Sequence, residues 1–503
     1  MESPRATVVA TTSMLAAYGS ALLLERGAHL RVDVVVTAVV LALTLSRAQY
    51  DAAPVDRVLA CVVVPPATVA ATGIAALIPR HPALGGALFA GAMAATIALR
   101  RFGPRVAAAG TASALPLVAS LVLPADDGPS PDLAHTLWLG LDALITCAWV
   151  GAVHLLAAPP RSHPNPHPSP VTAAGGARRL SASTRMAVQT GVALGASFAC
   201  GRLLWPEHWS WAVLTTYIVC GGARGRGDAL LKGVQRALGA TTGTLLSGPL
   251  ADAFGPHDTR AVPLVFALLA LGTWLRPANY AYWAACVTAV LSLLYGYFGQ
   301  SAADLLPDRL AAILLGAAFG VAAAWLILPI RTVDVLRRRV ADALAALTDL
   351  LGRRGARDPV AEHPLHRFDA AVAGLRDLEP ALRAHHRLVR HRITGHHLAE
   401  AIDALRACAA PTHLLADRPA TAGEHARTRA AVAANVVAVR RAIGRRPGPP
   451  YRPLPAEHRF PAGPFTDLDA ALGRLAAIFG PPADDPPQAP PAPPNATADF
   501  RQT

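Results

Sequence analysis

The sequence predicts an all-α polytopic membrane protein: about twelve transmembrane helices as two parallel six-helix repeats, then a C-terminal cytoplasmic helical domain. Three observations predict it. Charged residues make up only 16% of a 503-residue chain that is 53% hydrophobic, whereas a soluble protein carries about 25%. The deficit lies in residues 1–330, where long apolar runs recur, each near the roughly 20 residues that carry a helix across a bilayer core. Sliding residues 10–60 by 179 positions without gaps gives twelve identities in 51 positions.

Six runs fill the first half, at about 6–24, 32–46, 58–78, 83–99, 106–123 and 136–157. Their length and uniformity exclude barrel strands, which would alternate, and a lipid-spanning chain has only helices as the other choice. Ala6–Leu24 reads as a retained first helix, because no small-residue cleavage site follows it. Residues 158–183 are a cytoplasmic linker whose P-R-S-H-P-N-P-H-P-S-P core is incompatible with helix. Six more runs follow, at about 184–204, 209–222, 236–254, 261–275, 280–298 and 310–330. The domain boundaries are therefore 1–157, 158–183, 184–330, 331–480 and a Pro-rich tail, 481–503, expected to be disordered. The region 331–480 shows amphipathic periods at about 333–351, 365–392, 396–416, 420–444 and 465–479.

Several identities between the halves are polar: Thr11/Thr190, His29/His208, Thr37/Thr216, Arg47/Arg226 and Arg57/Arg236. An even number of spans per half gives both copies one orientation, hence a parallel repeat. Counting basic residues in alternate short loops, with the N-terminus inside, puts 19 on the inner side and six on the outer. That bias predicts cytoplasmic N- and C-termini in a multi-pass protein of the cell membrane. The net charge of +13 therefore reflects loop arginines, not a nucleic-acid partner, and Lys232 is the lone lysine among the 46 basic residues.

Chemistry concentrates in Trp209–Leu250, where two apolar runs bracket a basic loop. Lys232 and Arg236 stand beside small residues, and Thr215 and Thr216 lie in the preceding run; together they make a candidate organic-anion site, with Arg236 at the start of a helix and Arg57 at the repeat-equivalent position. Asp142 lies within an apolar run, where a carboxylate is costly, and is the candidate proton-coupling group. His154 and Asp252 read as interfacial, and Tyr280, Tyr282 and Trp283 as an interfacial anchor more than a stacking surface. The histidines at 385, 386, 391, 396 and 397 interleave with arginines and read as a solvated basic face, so no metal is expected. Six cysteines without CxxC spacing imply no disulfide framework. No P-loop, G-x-S-x-G or H-E-x-x-H is present, so no cofactor and no enzyme activity are expected.

W-A-V-L-T-T-Y-I-V followed by L-L-K-G-V-Q-R-A-L-G-A-T-T-G-T resembles the fusaric acid resistance protein-like family of membrane transporters, related to aromatic acid exporters and to plant aluminium-activated malate transporters. Trp211, Ala212 and Thr215 match the apolar span; Lys232, Gly233, Arg236 and Gly239 match the loop and helix start; Asp308, Arg309 and Gly316 match the closing span. The resemblance covers about 184–330 and implies efflux of small organic anions, commonly aromatic carboxylates. An organic-anion channel and a non-transporting scaffold that recruits envelope partners are the alternatives. Membrane lipids are expected partners; a homo-oligomer and a separate periplasmic or envelope partner stay open.

Overall fold

A computed structural model describes residues 4–50, 52–122, 132–157, 181–222, 225–251, 254–299, 306–329, 332–352, 364–375, 378–380, 382–383, 396–416, 424–455 and 463–480. Two compact units divide at Val335/Leu336. Among the described residues, no strand occurs.

Among the described residues, twelve α-helices precede the boundary helix of the first unit. In order they are α1 (Pro4–Ala28), α2 (Asp33–Ala48), α3 (Pro54–Arg80), α4 (Pro82–Ala98, extended by the 3-10 turn Leu99–Phe102), α5 (Pro104–Ser120) and α6 (Leu133–Leu156). Then come α7 (Ala182–Leu204), α8 (Trp209–Cys220), α9 (Arg226–Ala251), α10 (Ala261–Leu275), α11 (Tyr280–Tyr297) and α12 (Leu306–Leu326). Proline opens α3, α4 and α5, where its missing N–H costs nothing. Asp132, Ser181 and Asn279 cap α6, α7 and α11 by accepting a backbone N–H in the first turn. Among the described residues, six helices are long and apolar enough to cross a membrane: α1, α3, α4 with its 3-10 turn, α6, α7 and α12. Helices α8 and α10 are apolar but shorter.

The two sets of six share six pairings. Contacts α1–α2, α1–α6, α2–α6, α3–α5, α3–α6 and α4–α5 have the counterparts α7–α8, α7–α12, α8–α12, α9–α11, α9–α12 and α10–α11. The contacts joining the sets, α4–α7 and α1–α10, are counterparts of each other. Buried apolar residues of α1, α2, α3 and α6, such as Met14, Leu41, Val64 and Val150, form one core cluster with Phe266 and Leu269 of α10.

One expectation about the chain's course needs correction. Helix α9 begins at Arg226, so Arg236 does not open a helix but sits ten residues inside one, about 15 Å along its axis. Asp228 supplies an acidic residue in the first turn, where the helix dipole favours it, so the basic stretch is itself helical.

Helix α13 (Thr332–Gly352) leads into the second unit, which holds α14 (Pro364–Ala373), α15 (His396–Ala407), α16 (Ala409–Ala416), α17 (Glu424–Ile443) and α18 (Pro464–Phe479). The stretch expected as one helix over 396–416 breaks at Cys408, because Pro411 has no N–H to continue the ladder. Helix α18 packs on α15, α16 and α17. Buried Asn435 donates to Asp469 Oδ1 at 2.8 Å and to the Arg452 carbonyl at 2.6 Å, while Leu454 N–H donates to Asp469 Oδ2 at 2.8 Å. That network pins the extended segment before α18 onto α17. Burial pushes the Cys408 thiol up to about 12, which suits a packing residue. The linker core, Asp252, His385, His386, His391 and the tail from Pro481 lie outside the described residues.

Candidate functional site

The site grows from a close approach of two helices. A Cβ at Gly239 would meet Ala284 Cβ at 2.6 Å, and one at Gly243 would run into the backbone of Ala285. Only hydrogen side chains let α9 and α11 touch at this depth. Helix α12 docks on α8 by the same device: a Cβ at Gly316 would meet Thr215 Cβ at 3.0 Å, and one at Gly320 would meet Val219 Cγ1 at 2.7 Å.

This packing gathers two buried arginines around one residue of α11. Arg236, 3% exposed, donates from Nη1 to Thr288 Oγ1 at 3.4 Å. Arg309 of α12, 5% exposed, donates from Nη2 to the Thr288 carbonyl at 3.2 Å and from Nη1 to Ser292 Oγ at 2.9 Å. Trp211 and Tyr295 flank the Arg309 guanidinium, with ring centroids 5.7 and 5.8 Å away. Trp211 Nε1 donates to Tyr295 Oη at 2.8 Å, which fixes the pair edge to face. Among the described residues no carboxylate forms an ion pair with either arginine, and Arg236 Nε has no hydrogen-bond partner. An unpaired charge removed from water costs several kcal/mol, and here a carbonyl and two hydroxyls face the pair.

Arg236 also lines a cavity of about 670 Å³ between α1, α2, α5 and α8–α11. That volume falls in the range of ligand pockets, about 300–1,000 Å³. Arg47, Arg100, Lys232 and Arg276 join Arg236 on its wall. Arg47 and Arg276 stand 5.3 and 5.8 Å from the Trp283 ring centroid. The rest of the wall is mainly apolar, including Val35, Val39, Phe266 and Leu291.

The residues singled out in the sequence scatter across this geometry. Lys232 reaches the cavity, but its Nζ pairs with Asp228 Oδ2 at 3.2 Å and donates to the Gly221 carbonyl at 3.4 Å. Thr215 and Thr216 lie in the α8–α12 seam: Thr216 Oγ1 donates to the carbonyls of Ala212 at 2.9 Å and Gly316 at 3.0 Å. Neither threonine is on the cavity wall. Arg57 lies on α3, away from the cavity, with its Nε unpartnered among the described residues.

Asp142 is fully buried in the bundle of α1, α2, α3 and α6, with no partner for either carboxylate oxygen among the described residues. His154, expected at an interface, is instead 5% exposed; its ring nitrogens face the carbonyls of Ser46 at 3.0 Å and Val150 at 2.8 Å. Tyr280 and Trp283 line the cavity, whereas Tyr282 is exposed.

Sequence reasoning passed over Arg47, Arg276, Thr288 and Arg309 as site residues. Arg309 was countable as an outer-loop charge, yet it lies in the first turn of an apolar helix. An arginine within a span is the signal that could have found it. Thr288 carried no signal, since its role comes from what packs on it.

Residues 192–323 match the family described as fusaric acid resistance protein-like. The matched segment contains α8–α11, most of α7 and α12, and both buried arginines. No curated protein matches the chain.

Proposed function

We propose that this chain, a multi-pass membrane protein carrying a fusaric acid resistance protein-like segment, moves small organic anions, aromatic carboxylates among them, out of the cell. One observation carries the reading: two buried arginines meet at Thr288 without a carboxylate, and one of them faces the cavity. The anion enters at the end where Arg47, Arg100 and Arg276 lie, which the loop-charge bias assigns to the cytoplasm. Arg236 receives the carboxylate, and its unpartnered Nε–H offers a donor ready to be used. Arg309 is the next cation along, beyond Thr288 and beside the Trp211–Tyr295 pair. Lys232 contributes field at the entry even though Asp228 neutralises part of it. Thr215 and Thr216 act by holding α8 on α12, and Arg57 is the repeat counterpart of Arg236 without a cavity to serve.

The matching helix pairs and the 179-residue register support twelve spans arranged as two parallel repeats. Asp142, buried and unpartnered, is the group we assign to proton coupling. Flux of labelled benzoate from proteoliposomes tests the reading. Arg236→Gln is expected to lower flux at least tenfold, with Arg236→Lys retaining part of it. Unchanged flux in well-folded Arg236→Gln removes Arg236 from the mechanism. Currents that follow the anion gradient without a proton requirement would make the protein a channel.

A further inference from the structure

The cavity is much longer than a small aromatic acid needs. Along α2 its wall runs from Val32 to Arg47, and along α11 from Tyr280 to Tyr297. At 1.5 Å per residue these stretches extend about 22 and 25 Å. A volume of about 670 Å³ is spread over that length.

The polarity of this slot is ordered along its length. Arg47 ends α2, Arg276 follows α10, and Tyr280 opens α11, so these groups cluster at one end, and Arg236 reaches up to Thr288, eight residues into α11. The rest of the wall between the ends is mainly apolar: Val35, Val39, Val265, Phe266, Leu291 and Leu294. At the far end stand Val32, Tyr297 and a single carboxylate, Glu25. A benzoate bound at Arg236 would leave most of the apolar length unfilled. A second anionic group at the far end would meet Glu25.

Resting on the anion-transport reading, we infer that the slot takes a single-headed anionic amphiphile. Its carboxylate or phosphate head lies at the Arg47–Arg236–Arg276 end and its extended alkyl body lies along α2 and α11. With about 1.25 Å per methylene for bonds near 1.5 Å, the slot's length matches roughly eighteen to twenty methylenes, so a chain of about sixteen carbons fits together with its head. Each buried methylene strengthens binding about threefold to fourfold. Glu25 sets the head count at one, by rejecting a carboxylate at the distal end of the chain.

The test uses the full chain in nanodiscs of zwitterionic lipid, with empty nanodiscs as background. Displacement of labelled decanoate is measured for benzoate, hexanoate, decanoate, hexadecanoate, decyl phosphate and hexadecanedioate. Affinity is expected to rise at least tenfold from hexanoate to decanoate. Hexadecanedioate, whose carboxylates lie about 19 Å apart when extended, is expected to bind at least tenfold more weakly than hexadecanoate, and Glu25→Gln to close that gap. The ratio of decanoate to decyl phosphate identifies the preferred head. Flat affinity across chain length, or a diacid bound as well as the monoacid, overturns the amphiphile while leaving Arg236-dependent benzoate flux intact. Absence of any Arg236-dependent binding or flux overturns both readings. The chain-length series needs no variant, so a folding defect in Glu25→Gln cannot rescue the inference.

Discussion

Helices α1–α6 and α7–α12 share six helix pairings, yet they bury different charged groups. The second set encloses Arg236 and Arg309 on α11, while the first encloses Asp142 in an apolar bundle. The difference traces to the third helix of each set. In the 179-residue register, Gly239 and Gly243 of α9 correspond to Ala60 and Val64 of α3. Two glycines let α9 lie against the α11 backbone and carry Arg236 onto the Thr288 hydroxyl. Ala60 and Val64 are buried side chains that hold their neighbours off, and Pro65 and Pro66 follow directly. The same arginine, at Arg57, therefore has no such hydroxyl among its contacts. A shared sequence position does not confer a shared role when the packing beside it differs at two positions.

Three substitutions probe this contrast, in descending order of effect. Gly243→Val puts the α3 residue into α9, where even a Cβ runs into the Ala285 backbone. Helices α9 and α11 must separate, at a cost above the usual range of about 1–3 kcal/mol for overpacking. Loss of monodisperse protein in size-exclusion chromatography is the expected result. A well-folded Gly243→Val protein with full flux would show that close approach is not what distinguishes α9.

Asp142→Leu replaces an unpartnered buried carboxylate with an apolar side chain. Thermal unfolding in detergent is expected to show a protein more stable by about 1–3 kcal/mol, together with loss of proton dependence in flux. Lower stability would mean that Asp142 has a partner and is a structural group like its neighbours. Thr216→Val removes the hydroxyl that bridges α8 to Gly316. Interhelical bonds of this kind are worth about 0.6 kcal/mol in membranes, so a drop of that size in stability with flux retained is expected. A large loss of flux would instead return Thr216 to the transport path.

Much of this architecture was legible in the sequence because lipid leaves the backbone few choices. The apolar runs marked where helices lie, and the observed helices coincide with them apart from their ends. Those ends were less legible, since α9 extends through a basic stretch that composition reads as loop. Lys232 and Arg236 stood out because charge beside small residues is conspicuous, and both line the cavity. Arg47, Arg276 and Arg309 were not, because a loop-end arginine looks the same whether it faces water or a cavity. Thr215 and Thr216 looked like pathway hydroxyls, but which face of α8 meets α12 is set by Gly316 and Gly320, about 100 residues away.

The sequence by itself determined the helical fold class, the likeness over α7–α12 and the positions rich in cations. Those follow from local properties: apolar length, side-chain size and charge along the chain. The tertiary structure alone decided that two arginines converge on Thr288, that Asp142 lies outside the cavity, and that the cavity is long, with Arg47 and Arg276 at one end and Glu25 at the other. Each depends on which residues of distant helices come within a few ångströms, and that is fixed by the glycine contacts between helices.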